Sequence, residues 1–460
     1  MAFQQGLSGL NSSAKALDVI SNNVANASTV GFKASNTIFA DMYATAMTGG
    51  VSSLQIGIGA RVAAVTQSFT QGNVTATNNP LDMAINGNGF FRLERSDGTV
   101  AYSRNGQFDV SRDGFIINAT GDRLTGYAAI DSNVTPTVFA GEPTAIYIDT
   151  SNIQPRETTT GSLGVNLDSK LRNPLNQDPV GTDITNFLAT GISNPVSIPV
   201  DAYNYTTTMT VYDSLGNASL LNLYYVRNQN DPLTGVAPNT WSVYGRLSND
   251  VVPDPLNPAE STGEPLERLG SIEFNAFGVP VASFEADGVT PTAQLAQFGF
   301  SRTAAQLQTG ADDFDMTLDM RASTQWNTAS AVTTAPRQDG YTTGSLTGLS
   351  VSSNGIVQGT FSNGQVKDLA MLSLANFASA QGLTSLGNNL WAESYDSGQA
   401  ILGAPGTGVL GIVSSGQIEE SNVDLTQELV NMIIQQRNYQ ANAQSIKTQD
   451  SILQTIVNIR

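Results

Sequence analysis

Two stretches of this sequence combine residue types and spacings that could do chemistry. Gly406-Thr407-Gly408-Val409-Leu410-Gly411 matches the glycine spacing of a dinucleotide-binding turn. That turn works only between a strand and a helix whose N-terminus receives the pyrophosphate. Here Ile412-Val413-Ser414-Ser415-Gly416 runs into further loop signals, so the stretch reads as a flexible connector. Asp312, Asp313, Asp315 and Asp319 are the densest carboxylates, but they lack the central Gly and terminal Glu of a calcium loop. They read as the solvated face of a strand. The chain has no His and no Cys, which removes the commonest general base, any Ser-His-Asp triad, thiolate metal sites and disulfides. No G-x-S-x-G elbow occurs either. The residues therefore point to no catalytic, cofactor-binding or metal site, and the expectation is a protein that is not an enzyme and carries no cofactor.

The 460 residues exceed one ordinary domain, and two or three are expected. The formal charge of -18 argues against nucleic acid or an anionic membrane as partner, because both need clustered Lys and Arg. Twenty acidic against nine basic residues lie between Ile153 and Asp339, so most of that charge sits mid-chain. Met1-Ala2-Phe3-Gln4-Gln5 lacks the basic start of a cleaved secretory signal, and no apolar run reaches the length of a membrane span. Alone, these features suggest a cytosolic protein.

The strongest periodic signals lie at the two ends. Alternating steps of four and three from Leu425 reach Leu429, Met432, Gln436, Tyr439, Ala443, Ile446, Asp450, Leu453, Val457 and Arg460, with eight of eleven positions apolar. No Gly or Pro follows Gly416, and Asn422 or Asp424 is placed to cap the start. The spacing predicts one continuous helix about 55 Å long. The same stepping from Phe3 reaches Leu7, Leu10, Ala14, Leu17, Ser21 and Val24, so the termini could pair as helices. Periodicity alone favours two unrelated surface helices packed on a globular body.

Between the ends the texture is β. Ser35 to Met47 reads as a short second helix, but from Val51 onward apolar and polar residues alternate, as in Arg61 to Phe69. Asn86-Gly87, Asn88-Gly89, Asp97-Gly98, Asn105-Gly106 and Asp113-Gly114 supply the positive φ angles of tight hairpins. Asp213-Ser214-Leu215-Gly216-Asn217, between two strand-like runs, is a further hairpin. Val252 to Pro265, with four prolines, reads as an extended loop.

Several phrases resemble those of the flagellar rod, hook and hook-associated axial protein family. At the C-terminus these are Ser421, Asn422, Val423 and Asp424, then Gln436, Arg437 and Tyr439; after the first helix they are Asn23, Asn26, Thr29, Gly31, Phe32 and Lys33. Leu81 to Phe91, Tyr102 to Phe108, Gly121 to Tyr127, Leu374 to Phe377 and Gly387 to Trp391 are similar to the family's inner β segments. The resemblance covers residues 1–130 and 337–460 well. It implies a mainly β fold with α-helical termini and nested, discontinuous domains. Residues 1–33 and 417–460 would form a paired helical stem, 34–70 and 409–416 a connecting segment, 71–152 and 337–408 an inner β domain, and 153–336 an inserted outer β domain.

Val211-Tyr212-Asp213-Ser214-Leu215-Gly216 is similar to the middle domain of the family's hook members. The resemblance therefore implies a structural subunit that polymerises into a curved tube, joins rod to filament and transmits torque. Its polymer interface would lie on the seams Phe3, Leu7, Leu10, Ala14, Leu17, Val24 and Leu425, Leu429, Met432, Tyr439, Ala443, Ile446, Leu453, Val457. Implied partners are further copies of itself, the distal rod protein, the hook-filament junction protein, the hook cap scaffold and the flagellar type III export apparatus. No nucleic acid and no membrane insertion are implied, and export would occur without a cleaved signal peptide. A distal rod subunit shares the ends and the inner domain, but a straight rod needs no large insertion. A secreted β-rich adhesin or surface-layer protein would explain the composition and would ordinarily carry a cleaved signal.

Overall fold

Asp424 starts the C-terminal helix: its Oδ1 accepts the backbone N–H of Thr426 at 2.9 Å and of Gln427 at 3.1 Å. The helix then runs without a break from Leu425 to Asn458, about 51 Å. It packs beside the N-terminal helix, Ala2–Ala25, so the two termini do pair. A computed structural model describes residues 2–42, 57, 59–131, 137–139, 141–176, 181–187, 198–228, 239–248, 266–307 and 309–458. These divide into two compact units, one of residues 1–150 and 346–460, the other of residues 151–345.

In the first unit, widely separated parts of the chain share one sheet. The strand Val366–Leu372 pairs antiparallel with Arg123–Asp131, Leu390–Ala392 with Val100–Ser103, and Leu374–Asn376 with Phe90–Glu94. Two further strands, Ile412–Ser415 and Gln417–Glu419, lead back toward the C-terminal helix by pairing with Met83–Asn86 and Val74–Ala76. Phe91, Leu93, Ile116, Leu124, Val357 and Leu372 form its buried core. The main β body of this unit thus closes only when residues far apart in the chain have met.

The segment read as a second helix is a strand. Ser35–Met42 pairs antiparallel with Gly59–Gln67, and residues 43–47 lie outside the described residues. Thr37, Ile38 and Phe39 favour the extended chain, and pairing with Arg61 to Gln67 decides the outcome over any local helical preference. The glycine turns need a similar correction at Asn105-Gly106. Gly106 has no positive φ; a Cβ there would fall on the Met83 carbonyl, so close approach of two backbones requires the glycine.

The unit of residues 151–345 contains two sheets over one core. Tyr205–Tyr212, Ala218–Arg227, Thr240–Leu247, Glu267–Phe274 and Pro280–Phe284 form an antiparallel meander. Gln297–Arg302, Phe314–Asp319, Thr160–Asn166 and Ala331–Gln338 form the second sheet, with a parallel pair at its centre. Trp241, Tyr225, Phe298 and Phe300 are essentially inaccessible between them. The hairpin at Asp213 forms as its wording predicts: Asp213 Oδ1 accepts the N–H groups of Leu215 and Asn217, and Gly216 has φ +83°. The Pro-rich stretch Val252 to Pro265 lies outside the described residues.

Candidate assembly interface

The helix pair is antiparallel and unusually close. A Cβ on Gly6 would lie 3.0 Å from Ile446 Cγ1, and one on Gly9 would lie 2.8 Å from Asn442 Nδ2. At the other end Asn23 Nδ2 donates to Glu428 Oε1 at 3.4 Å. Gly6, Gly9, Ser13, Ala16, Ile20 and Asn23 repeat at alternating steps of three and four, one residue round from the apolar seam. A stripe of mostly small residues thus lets two backbones approach while leaving the larger side chains beside it.

The consequence is visible in exposure. Phe3 and Leu7 are 46% and 44% exposed, and Leu10, Ala14, Leu17 and Val24 are half-buried. On the C-terminal helix Leu425, Leu429, Tyr439 and Leu453 are exposed; Met432, Ala443 and Ile446 are half-buried, Ile446 against Gly6. Val457 falls within the helix. Val430, Ile433, Ile434 and Ile452 are exposed as well, and the four-three stepping from Leu425 passes over all of them. Their own spacing of three and four was the available signal.

A buried ionic knot joins the chain just after the N-terminal helix and just before the C-terminal helix to the β body. Lys33 Nζ reaches Glu419 Oε1 at 2.6 Å and the Thr70 carbonyl at 2.7 Å, with both charged side chains fully enclosed. Arg104 Nη1 meets Glu419 Oε2 at 3.2 Å, and its Nη2 donates to the Gly87 carbonyl at 2.8 Å. Burial holds the Lys33 ammonium below its usual range, and the Glu419 charge opposes that shift. Burial likewise holds Arg104 below its usual range, and the Glu419 charge again opposes the shift. Glu419 joins the knot because Gln417-Ile418-Glu419 is a strand whose last side chain points inward. The sequence singled out Lys33 but not Glu419, since nothing local marks a carboxylate whose partners stand hundreds of residues away.

The remaining motif residues build the same junction. Asn23 exchanges hydrogen bonds with the Ser35 backbone at 2.8 and 2.9 Å, while Asn26 binds the Asn22 carbonyl and receives the Thr29 hydroxyl. Gly31, at φ +72°, donates its N–H to the Glu419 carbonyl, and a Cβ there would meet the Asn105 nitrogen at 2.5 Å. The Phe32 N–H closes a turn onto Thr29. Asn422 accepts the Ala34 N–H at 2.7 Å and donates to the Ser68 carbonyl; Ser421 is buried, and its hydroxyl receives the Val423 N–H. Gln436, Arg437 and Tyr439 stand apart from this junction, exposed on the helix.

The two stretches with chemical spacing resolve differently. Gly406 to Gly411 is a turn between the strands Ile401–Gly403 and Ile412–Ser415, with no helix after it. It is not a loose connector: Gly411 donates to the Asn88 carbonyl at 2.7 Å and Gly406 to the Gly411 carbonyl at 2.9 Å. Asp312, Asp313 and Asp315 are exposed around the strand Phe314–Asp319, and Asp319 pairs with Arg321. Among the described residues no group of three acidic side chains is arranged to hold a metal ion.

Family models match along most of the chain. Residues 3–33 match "Flagella basal body rod protein", 84–151 "Flagellar hook protein FlgE/F/G D1 domain", 166–341 "Flagellar basal body protein FlaE D2 domain" and 414–459 "Flagellar basal body rod FlgEFG protein C-terminal". The flagellar hook protein FlgE of Escherichia coli K12 is 40% identical over the full length of both chains. The chain belongs to the flagellar hook protein family. Its likeness to other members is also end to end: the Salmonella typhimurium hook protein is 39% identical over all of both chains, and that of Borreliella burgdorferi 30% over all of this chain and 99% of its own. The knot and the exposed helix faces thus belong to a hook-family chain.

Proposed function

We propose that this chain, a structural subunit of the flagellar hook, polymerises through its terminal helices into a flexible curved tube that couples rod to filament and transmits torque. It is a noncatalytic subunit, exported through the flagellar type III apparatus without a cleaved signal. It meets the distal rod protein at one end of the tube, the junction protein at the other and a cap scaffold during growth. The observation that carries this reading is the exposed apolar surface on both helices, including Phe3, Leu7, Leu425, Leu429 and Leu453. So much apolar side chain on two long surface helices calls for a covering partner. A heterologous contact between copies that does not close a ring propagates as a helical polymer. The residues of the buried knot would carry load from those helices into the β body.

Sedimentation and negative-stain microscopy of the purified chain at rising concentration test this. The wild-type chain should form curved tubes. Leu453→Asp should prevent them, while the monomer melts within about 0.5 kcal/mol of wild type because the position is solvated there. Normal assembly of a stable Leu453→Asp chain would remove the C-terminal seam from the interface.

A further inference from the structure

Beside the buried knot, a second carboxylate is left incomplete. Glu428 is only 9% exposed, and its Oε2 has no hydrogen-bond partner among the described residues. Its Oε1 receives only the long Asn23 bond, at 3.4 Å. Glu428 lines a recess of about 170 Å³ where the N-terminal helix, the strand Ser35–Met42 and the C-terminal helix meet. Val19, Ile20, Phe39 and Ile434 form its apolar lip, and among the described residues no Lys or Arg lines it. A buried carboxylate oxygen without a donor is costly, and a cation entering from outside would relieve that cost.

The same helix carries a cation that fits. Arg437 is exposed and makes no ion pair or side-chain hydrogen bond among the described residues. It completes a ridge with Val430 and Ile433 at i, i+3 and i+7. Nine residues separate it from Glu428, two and a half turns, so the two side chains leave opposite faces of the helix and cannot meet within one chain. Lys447, the other exposed cation of this helix, has Gln444 and Ser451 beside it and lacks such a ridge. A planar guanidinium is also the better match for a carboxylate in a confined recess.

We propose that the Arg437 guanidinium of one subunit enters this recess on a second copy and pairs with Glu428, its apolar ridge seated on the lip. The pairing rests on the polymer reading above and deepens it. Donor and acceptor lie on opposite faces of one helix, so each copy offers both halves and the contact runs head to tail.

The full chain tests this by its critical concentration for assembly, read by sedimentation. Arg437→Gln and Glu428→Gln should each raise it at least tenfold, and the double variant should be no worse than the poorer single. Monomer melting of Arg437→Gln should match wild type. Because the chain has no Cys, mixed polymers of Glu428→Cys and Arg437→Cys chains should link through a short bis-maleimide, whereas either chain alone should not. If Glu428→Gln fails to fold, the Arg437→Gln and linking results still decide. Assembly of Arg437→Gln at the wild-type concentration, additive single effects, or mixed polymers that do not link would overturn the pairing alone. A wild-type chain that stays monomeric at every concentration would instead overturn the polymer reading, and this pairing with it.

Discussion

The β sandwich of residues 151–345 and the pair of terminal helices solve the same burial problem in opposite ways. Inside the sandwich the large side chains face one another, and Trp241, Tyr225, Phe298 and Phe300 are shielded by their own chain. Between the helices the small ones do: Gly6 and Gly9 bring the backbones together, and Phe3, Leu7, Leu429 and Leu453 remain outside. A fully buried large apolar side chain contributes about 1.5–3 kcal/mol, whereas Gly, Ser and Ala bury little apolar area. The sandwich is therefore finished as a monomer. The helix pair is well shaped but thinly stabilised, and its larger apolar side chains are left for a neighbour to cover.

The comparison breaks most visibly at Trp241. Trp241→Ala should cost about 3–5 kcal/mol, read by calorimetry as earlier melting of the sandwich, with helical circular dichroism at low temperature unchanged. A loss below about 1 kcal/mol would mean that the sandwich does not close its own core.

Gly9→Val asks the reverse question of the helices. The new side chain would have to push the Asn442 side chain aside, and overpacking of this kind costs about 1–3 kcal/mol. The effect should appear as faster hydrogen exchange across residues 425–458, with protection of the β strands retained. Unchanged exchange would show that the helices do not approach closely in solution.

The smallest effect should come from Asp339, whose carboxylate binds the N–H groups of Thr159 and Thr160, each at 2.9 Å. Burial pushes this carboxyl up, but the hydrogen bonds from Thr159 and Thr160 outweigh it and hold the group below its ordinary value of 3.8. A depressed carboxylate contributes stability that is present above the unfolded value and lost as pH falls through the folded one. Asp339→Asn should therefore melt below wild type at neutral pH, and the gap should close as acid protonates Asp339. A gap that persists unchanged in acid would show that the charge contributes nothing.

Much of this architecture is legible in the residues. Periodicity marks both terminal helices, the Asp213 phrase marks a hairpin, and the family motif from Asn23 to Lys33 picks out residues that prove to be tied together. The helix expected from Ser35 to Met47 is overturned over Ser35–Met42 because the strand state depends on a partner that begins at Gly59, beyond any local window. The N-terminal seam lies one step away from the contact between the helices, because hydrophobic stepping weights Leu and Phe and passes over the Gly and Ser that permit close approach.

What the sequence by itself determined is therefore what local chemistry controls: helix at the ends, capped at Asp424; β structure between; no His- or Cys-based chemistry; and membership of an axial family. Tertiary structure alone decided which faces meet. It brought Lys33, Arg104 and Glu419 into one buried knot from three distant parts of the chain, and it sorted the apolar helix residues into those covered within the subunit and those left exposed. The physical reason is that burial and ion pairing depend on separation in space, and sequence spacing reports that separation only within a single helix or strand.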